Sequence, residues 1–251
     1  IAPPTPVITV TSPNTNVTRY QGNSNTISWT SQYVESPVVT IEYSSDNGSS
    51  WNTIAAVTEN DGSYSWLIPT VVSSQCLVRV SEYLNPVVFD VSNTSFNIAA
   101  PFITVTSPNG GNIFGGCDAH TITYTKGGIS SNVKIEYSPD NGATWVNIVS
   151  STSASGSYNW SIVANIASTQ CLIRVSDAAN ATVNDVSNAV FTIEKNDDIF
   201  VTSPNGGESF EVGAQYTVSW AAASGHSQFS VYYSYDNGTS WSTLYSSIYS
   251  T

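Results

Sequence analysis

Thr11-Ser12-Pro13-Asn14 returns as Thr106-Ser107-Pro108-Asn109 and again as Thr202-Ser203-Pro204-Asn205, with the prolines 95 and 96 residues apart. Trp29, Tyr124 and Trp220 each follow their proline by 16 residues, and Trp51, Trp145 and Trp241 are spaced 94 and 96. Trp66 with Trp160, Cys76 with Cys171, and Arg79 with Arg174 pair at 94 or 95. Solenoid and propeller units repeat every ~20 to 50 residues, whereas a β-sandwich domain needs about 100. The chain therefore reads as a tandem array of sandwich domains. Residues 1–6 form a stiff, proline-bearing linker, 7–98 and 101–194 two complete units, and 199–251 the N-terminal part of a third.

In the first unit, strands are expected near 7–11, 26–30, 38–44, 51–57, 63–68, 75–82 and 93–98, with counterparts in the later copies. Seven short strands divided by turn signals predict an all-β fold. Its architecture is a tandem of antiparallel β-sandwiches of the immunoglobulin-like or fibronectin-III-like kind. Alternation assigns the inner face. Val39, Ile41 and Tyr43 share it, as do Val133, Ile135, Tyr137 and Phe229, Val231, Tyr233. Ile27 with Trp29, Tyr64 with Trp66 and Ile68, and Phe96 with Ile98 add to it, and each has a counterpart in the second unit. Burying each large side chain is worth roughly 1.5–3 kcal/mol, so packing accounts for most of the tryptophan.

The third unit is short. Only ten residues follow Trp241, and the counterparts of the strands bearing Trp66, Cys76 and Phe96 are absent. Half a sandwich leaves a bare apolar face and an unpaired edge. The simplest expectation is a piece of a longer polypeptide. The alternative is a subunit of a surface polymer whose missing strands another chain donates. The start at Ile1, without Met or a signal peptide, fits a processed or excised piece of an exported protein.

Composition narrows the function classes. Eighteen acidic side chains against six basic ones give a net charge of −12. Nucleic acids and anionic membranes need clustered basic charge, so neither is an expected partner. No apolar run approaches the ~20 residues of a membrane span. Forty per cent hydrophobic residues, with 7 Trp and 14 Tyr, supply real cores.

The sharpest local motif is Ser44-Ser45-Asp46-Asn47-Gly48-Ser49-Ser50-Trp51, repeated at Ser138-Pro139-Asp140-Asn141-Gly142-Ala143-Thr144-Trp145 and Ser234-Tyr235-Asp236-Asn237-Gly238-Thr239-Ser240-Trp241. Asn-Gly between apolar strands signals a hairpin, and the Asp before it can accept bonds from turn amides. Trp51, Trp145 and Trp241 would pack back over these turns. A structural role is the first reading for Asp46, Asp140 and Asp236, with calcium or sugar binding as the alternative. A second motif runs Gln75-Cys76-Leu77-Val78-Arg79-Val80-Ser81-Glu82 and Gln170-Cys171-Leu172-Ile173-Arg174-Val175-Ser176-Asp177. Arg79 and Arg174 should face away from the core, with Asp90 and Asp185 as available partners across a hairpin, for about 0–1 kcal/mol. Glu82 with Asp90, and Asp177 with Asp185, flank one loop in each unit and are calcium candidates, as are Asp197 and Asp198 with Glu194 at the second junction. Solvated turn residues are the plainer account, so no cofactor is expected beyond a possible Ca²⁺. Cys76 and Cys171 should be buried thiols in separate domains, while Cys117 reaches Cys171 only if its loop tucks inward. His120 and His226 belong to no Ser/His/Asp or Cys/His set, and no enzyme activity is expected.

The hairpin resembles the Asp-box of sialidases and other β proteins, where it is a folding element remote from the catalytic centre. A sialidase also needs a propeller and several converging arginines, and this chain has only Arg19, Arg79 and Arg174. Together the S-P-N-G-G-E, I-S-W, Y-S-x-D-N-G-x-x-W and C-x-x-R-V-S-D patterns resemble immunoglobulin-like and fibronectin-III-like modules of large secreted and cell-surface proteins of Bacteroidetes-type bacteria. The resemblance implies export, flanking domains of the same larger protein, and a role as a spacer, stalk or adhesive part. A carbohydrate-binding module is the runner-up. It would need exposed aromatic side chains, for which Tyr33, Tyr83, Tyr235, Tyr245 and Tyr249 are candidates. Beyond the flanking domains, the partners to expect are a polysaccharide or another surface protein.

Overall fold

The computed structural model describes residues 3–116, 119–162, 166–194, 199–222 and 228–249, the side chains of Phe200 and Tyr249 excepted. Every regular element among them is a β-strand. The chain divides into two compact units, one built on the first repeat and one holding the second and third.

Repeat one has strands β1 (Val7–Ser12), β2 (Thr18–Tyr20), β3 (Ser24–Gln32), β4 (Val38–Ser44), β5 (Asn52–Glu59), β6 (Ser63–Leu67), β7 (Ser73–Glu82), β8 (Phe89–Val91) and β9 (Phe96–Ala99). One sheet runs β1-β3-β6; the other runs β2-β9-β7-β4-β5, with β8 also on β7. All seven expected strands are present. The two additional ones, β2 and β8, are three residues long, too short to show alternation. β2 carries the change of sheet. The β1 ladder shifts register between Val10 and Ser12, and the Ser12–Pro13 bond, which is cis, follows. Proline has no N–H to continue the ladder. The chain crosses to the opposite sheet, where β2 runs parallel to β9 with Thr18 opposite Asn97.

Both inner faces are apolar, as alternation requires. Ile8, Val10, Ile27, Trp29, Val39, Ile41, Trp66, Ile68, Cys76, Val78, Val80, Phe96 and Ile98 form one buried cluster. Trp66 sits at its centre, edge-on to Phe96 at 6.2 Å and 5.5 Å from Tyr43.

Repeat two follows the same plan with β10 (Phe102–Ser107), β11 (Ile113–Gly115), β12 (Ala119–Gly127), β13 (Asn132–Ser138), β14 (Val146–Ser153), β15 (Ser157–Ser161), β16 (Ser168–Asp177), β17 (Asn184–Val186) and β18 (Phe191–Glu194). Its sheets are β10-β12-β15 and β11-β18-β16-β13-β14, with β17 on β16. Trp160 repeats the central packing, 6.4 Å from Phe191 and 5.4 Å from Tyr137. One core position differs. Trp29 donates through Nε1 to Asn60 Oδ1 at 2.8 Å. In repeat two the matching residues are Tyr124 and Ala154, and the buried Tyr124 hydroxyl has no hydrogen-bond partner among the described residues.

Asp90 ties the two sheets together. Its Oδ2 accepts from the Val10 N–H at 2.8 Å, and Asp185 does the same for Val105 at 2.8 Å. The acceptor lies beside the register shift, where the β1 ladder is interrupted. Asp90→Ala leaves that N–H without an acceptor beside a fully buried Val10, and should cost about 1–3 kcal/mol. Asp90→Asn keeps an oxygen and should cost less. Chemical denaturation midpoints of both variants check this ordering.

In repeat three, β19 (Ile199–Ser203) pairs β20 (Ser219–Ala222), and β21 (Gln228–Tyr233) pairs β22 (Ser242–Tyr249). The apolar face is open among the described residues. Val201 is 51% exposed, whereas its counterparts Val10 and Val105 are at 0% and 1%. The Trp220 ring lies 5.5 Å from that of Phe229, tilted by 55°, and Trp220, Val231, Leu244, Tyr245 and Ile248 line a depression of about 840 Å³.

Candidate functional site

The Asn-Gly hairpins are built alike in all three repeats. Asn47 and Gly48 have φ of 56° and 87°, the left-handed pair that this tight turn demands. Asp46 Oδ1 accepts from Ser44 Oγ at 2.7 Å and from the Ser50 N–H at 2.8 Å, while Oδ2 accepts from Ser50 Oγ at 2.5 Å. Ser44 Oγ accepts from the Gly48 N–H at 2.8 Å. Asp140 holds Ser138 and Thr144 in the same way, and Asp236 holds Ser234 and Ser240. The turn is then moored to β7, since Asn47 donates to the Gln75 carbonyl at 2.9 Å and Ser73 Oγ to the Ser45 carbonyl at 2.7 Å. A Cβ placed on Gly48, Gly142 or Gly238 would touch the ring of Trp51, Trp145 or Trp241 at 3.6–3.8 Å, so each tryptophan covers its own turn.

These hydrogen bonds, led by that of the Ser50 hydroxyl, hold the Asp46 carboxyl at about 2 from an ordinary 3.8. The Ser240 hydroxyl leads the same effect on Asp236, also at about 2, and the Thr144 hydroxyl lowers Asp140. A carboxyl depressed in the folded state favours folding above its unfolded value. That contribution fades as pH falls towards the folded value. The turns should therefore stay closed through pH 4 and open only near 2. A carboxyl NMR titration of Asp46 with its midpoint near 4 would show that these bonds are not made.

The second motif corrects one expectation. Arg79 does face outward, but its partner is Glu42, with Nη2 to Oε2 at 2.6 Å and Nε to the same oxygen at 2.9 Å. Register explains this. Arg79 lies opposite Glu42 on β4, whereas Asp90 lies opposite the buried Val80 and so points inward. Arg174 pairs with Glu136 at 2.7 Å in the same fashion, and Lys134 adds a contact at 2.6 Å. Burial by itself would raise the Glu136 carboxyl, but the hydrogen bonds from Lys134 and Arg174 outweigh it and lower the carboxyl overall. Each guanidinium also lies over its tryptophan, Arg79 at 4.4 Å from Trp51 and Arg174 at 4.2 Å from Trp145. Such a stack adds about 0.5–1 kcal/mol. The motif V-x-I-E-Y-S, common to both complete repeats and replaced by Phe229-Ser230-Val231-Tyr232-Tyr233-Ser234 in the third, was the signal for Glu42 and Glu136.

The calcium candidates are placed as follows. Asp90 and Asp185 accept from backbone amides of β1 and β10. Glu82 is buried and accepts from the Ser36 N–H at 3.1 Å, and Asp177 is buried and accepts from the Ala179 N–H at 3.1 Å. Asp197 and Asp198 lie outside the described residues, as do Cys117 and His226. Among the described residues no three His, Cys, Asp or Glu side chains converge as metal ligands would. Cys76 and Cys171 are fully buried free thiols.

Of the aromatic candidates, Tyr33, Tyr83, Tyr235 and Tyr245 are all exposed. The side chain of Tyr249 is outside the described part. Tyr33 lies with Pro3, Pro4, Pro6, Pro37 and Leu84 around a groove of about 580 Å³ at one end of repeat one.

No protein-family model matches the sequence, and no curated protein does. Among solved structures the chain is similar to the fibronectin(III)-like modules of Clostridium thermocellum CbhA, at 14% identity over 82% of this chain and 100% of that one, with a TM-score of 0.26. It is similar to the I9–I11 tandem of titin, at 8% identity over 78% of this chain and 68% of that one, with a TM-score of 0.40. DIP-gamma IG1+IG2 is a third, at 9% identity over 77% and 99%, with a TM-score of 0.28.

Proposed function

We propose that the chain is a non-catalytic repeat segment of a larger secreted or cell-surface protein, acting as a spacer, stalk or adhesive part. The observation behind this reading is what the polar clusters do. In both complete repeats the turn aspartates, the inter-sheet aspartates and the Arg–Glu pairs are engaged with the fold's own backbone and side chains. A reacting centre instead leaves charged groups aimed at a substrate. The same set is copied from one repeat to the next, as a structural module requires and as a single active site does not. The bacterial cell-surface modules that the motifs resemble supply the setting, with flanking domains of the same polypeptide as the immediate neighbours. Small-angle scattering tests the spacer reading. A compact chain of this length has a radius of gyration of about 18 Å. A stalk segment should exceed that clearly, and a value near it overturns the reading.

A further inference from the structure

The two complete repeats share a backbone at the loop after β7 but not its chemistry. In repeat one, Glu82 N–H donates to the Val88 carbonyl at 2.9 Å, Val88 to Asn85 at 3.0 Å and Tyr83 to Val38 at 3.3 Å. In repeat two, Asp177, Val183 and Ala178 make the same bonds to Val183, Asn180 and Asn132 at 2.9, 2.9 and 3.1 Å. Yet the loop reads Tyr83-Leu84-Asn85-Pro86-Val87-Val88-Phe89 in one and Ala178-Ala179-Asn180-Ala181-Thr182-Val183-Asn184 in the other. Fold does not ask for the large side chains, because repeat two closes the loop without them. Nor are they packed inward, since Leu84 is 74% and Val87 78% exposed.

Tyr33 departs in the same direction. It holds φ at +56°, where repeat two has Gly128 at +69°. Glycine takes that conformation freely, and a bulky aromatic does not. The ring it presents is 64% exposed and lines the groove with Leu84 and the prolines. At the groove's wall stands Glu82, only 5% exposed. Its Oε1 accepts from Ser36, and no described residue bonds its Oε2. Glu35 and Asn85 complete the polar lining.

We infer that this groove at the end of repeat one is a binding site for a neutral saccharide. Ring and aliphatic surfaces of Tyr33, Leu84 and the prolines suit the C–H faces of a sugar. The carboxylate of Glu82, with Glu35 and Asn85, suits its hydroxyl donors. A groove near 580 Å³ that sets an aromatic ring, a leucine and prolines beside a few convergent polar groups has the make-up of a small-ligand site. The net charge of −12 and the two carboxylates exclude an acidic glycan. This assignment goes beyond the spacer reading and does not depend on it.

Affinity electrophoresis of the full chain through gels holding laminarin, xylan, mannan or a soluble cellulose ether tests the site, followed by calorimetry on oligosaccharides of the retarding polymer. At least one polymer should retard the chain. Tyr33→Gly, which installs the residue repeat two carries, and Leu84→Ala should each weaken binding about tenfold. Both positions are exposed, so circular dichroism should be unchanged. Failure of all four polymers to retard the chain overturns the proposal, as does retardation that the double variant leaves intact. Self-association that the double variant abolishes also overturns it, by making the patch a protein interface. Scattering on the double variant, which lacks the patch, reads the radius of gyration of the single chain whatever these outcomes are, so the two readings fail separately.

Discussion

Trp66→Ala should cost repeat one about 3–5 kcal/mol, the range for removing a large aromatic from a closed core. The indole is buried between the two sheets, edge-on to Phe96 and beside Tyr43. No neighbour can collapse into the space it leaves. Ile41, Val78 and Phe96 are each fully buried and held on strands paired on both sides. A domain of this size is stable by about 5–15 kcal/mol in total, so the variant loses roughly a fifth of that or more. Trp160→Ala should act alike in repeat two, because the distances to Tyr137 and Phe191 are the same within 0.2 Å. Trp51→Ala is the contrast. That ring is half-exposed and covers a turn and Arg79, so the loss should be near 1 kcal/mol. Urea unfolding decides the matter, with a shifted midpoint and an unchanged slope. A shift for Trp66→Ala no larger than that for Trp51→Ala would mean the sandwich is not closed over Trp66.

How far the sequence could be read follows from what each feature depends on. Alternation is local, so Val39-Thr40-Ile41 and its copies revealed the inner faces directly, and every expected strand of repeat one is present. The turn motif is also local, and its serine, aspartate and glycine find one another within seven residues. Asp90 was misassigned to Arg79 because the choice of partner is not local. It depends on the β7–β8 register, which places Asp90 against Val80, and on an interruption in β1 some 80 residues away. Glu42 failed to stand out because an acidic residue in a β-strand reads as a solvated face until the opposite strand is known. The candidate saccharide groove was half visible. Tyr33, which lines it, was one of five aromatic candidates outside the core pattern. The significance of Leu84 emerged only once equal backbone hydrogen bonds showed the two loops to be the same structure with different surfaces.

Thiol labelling should report each complete repeat by itself. Cys76 and Cys171 are fully buried, with Sγ against the carbonyls of Ser73 and Ser168 at 3.7 and 3.6 Å. Burial raises both thiols, which disfavours the thiolate that reacts with an alkylating reagent. Modification therefore waits for the sheet around each cysteine to open. With a stability of about 5 kcal/mol or more, the native thiols should react at least ~10³-fold more slowly than in denaturant. Replacing Cys117 by Ser leaves only these two to be followed by mass spectrometry. Trp66→Ala should then speed Cys76 by roughly 10²- to 10⁴-fold, the factor that 3–5 kcal/mol implies. Cys171 should keep its rate, because among the described residues each sheet is built from the strands of a single repeat. Equal acceleration of both would show that the repeats open as a single cooperative body. A spacer made of modules that yield one at a time could not then be maintained, however regular the sequence period.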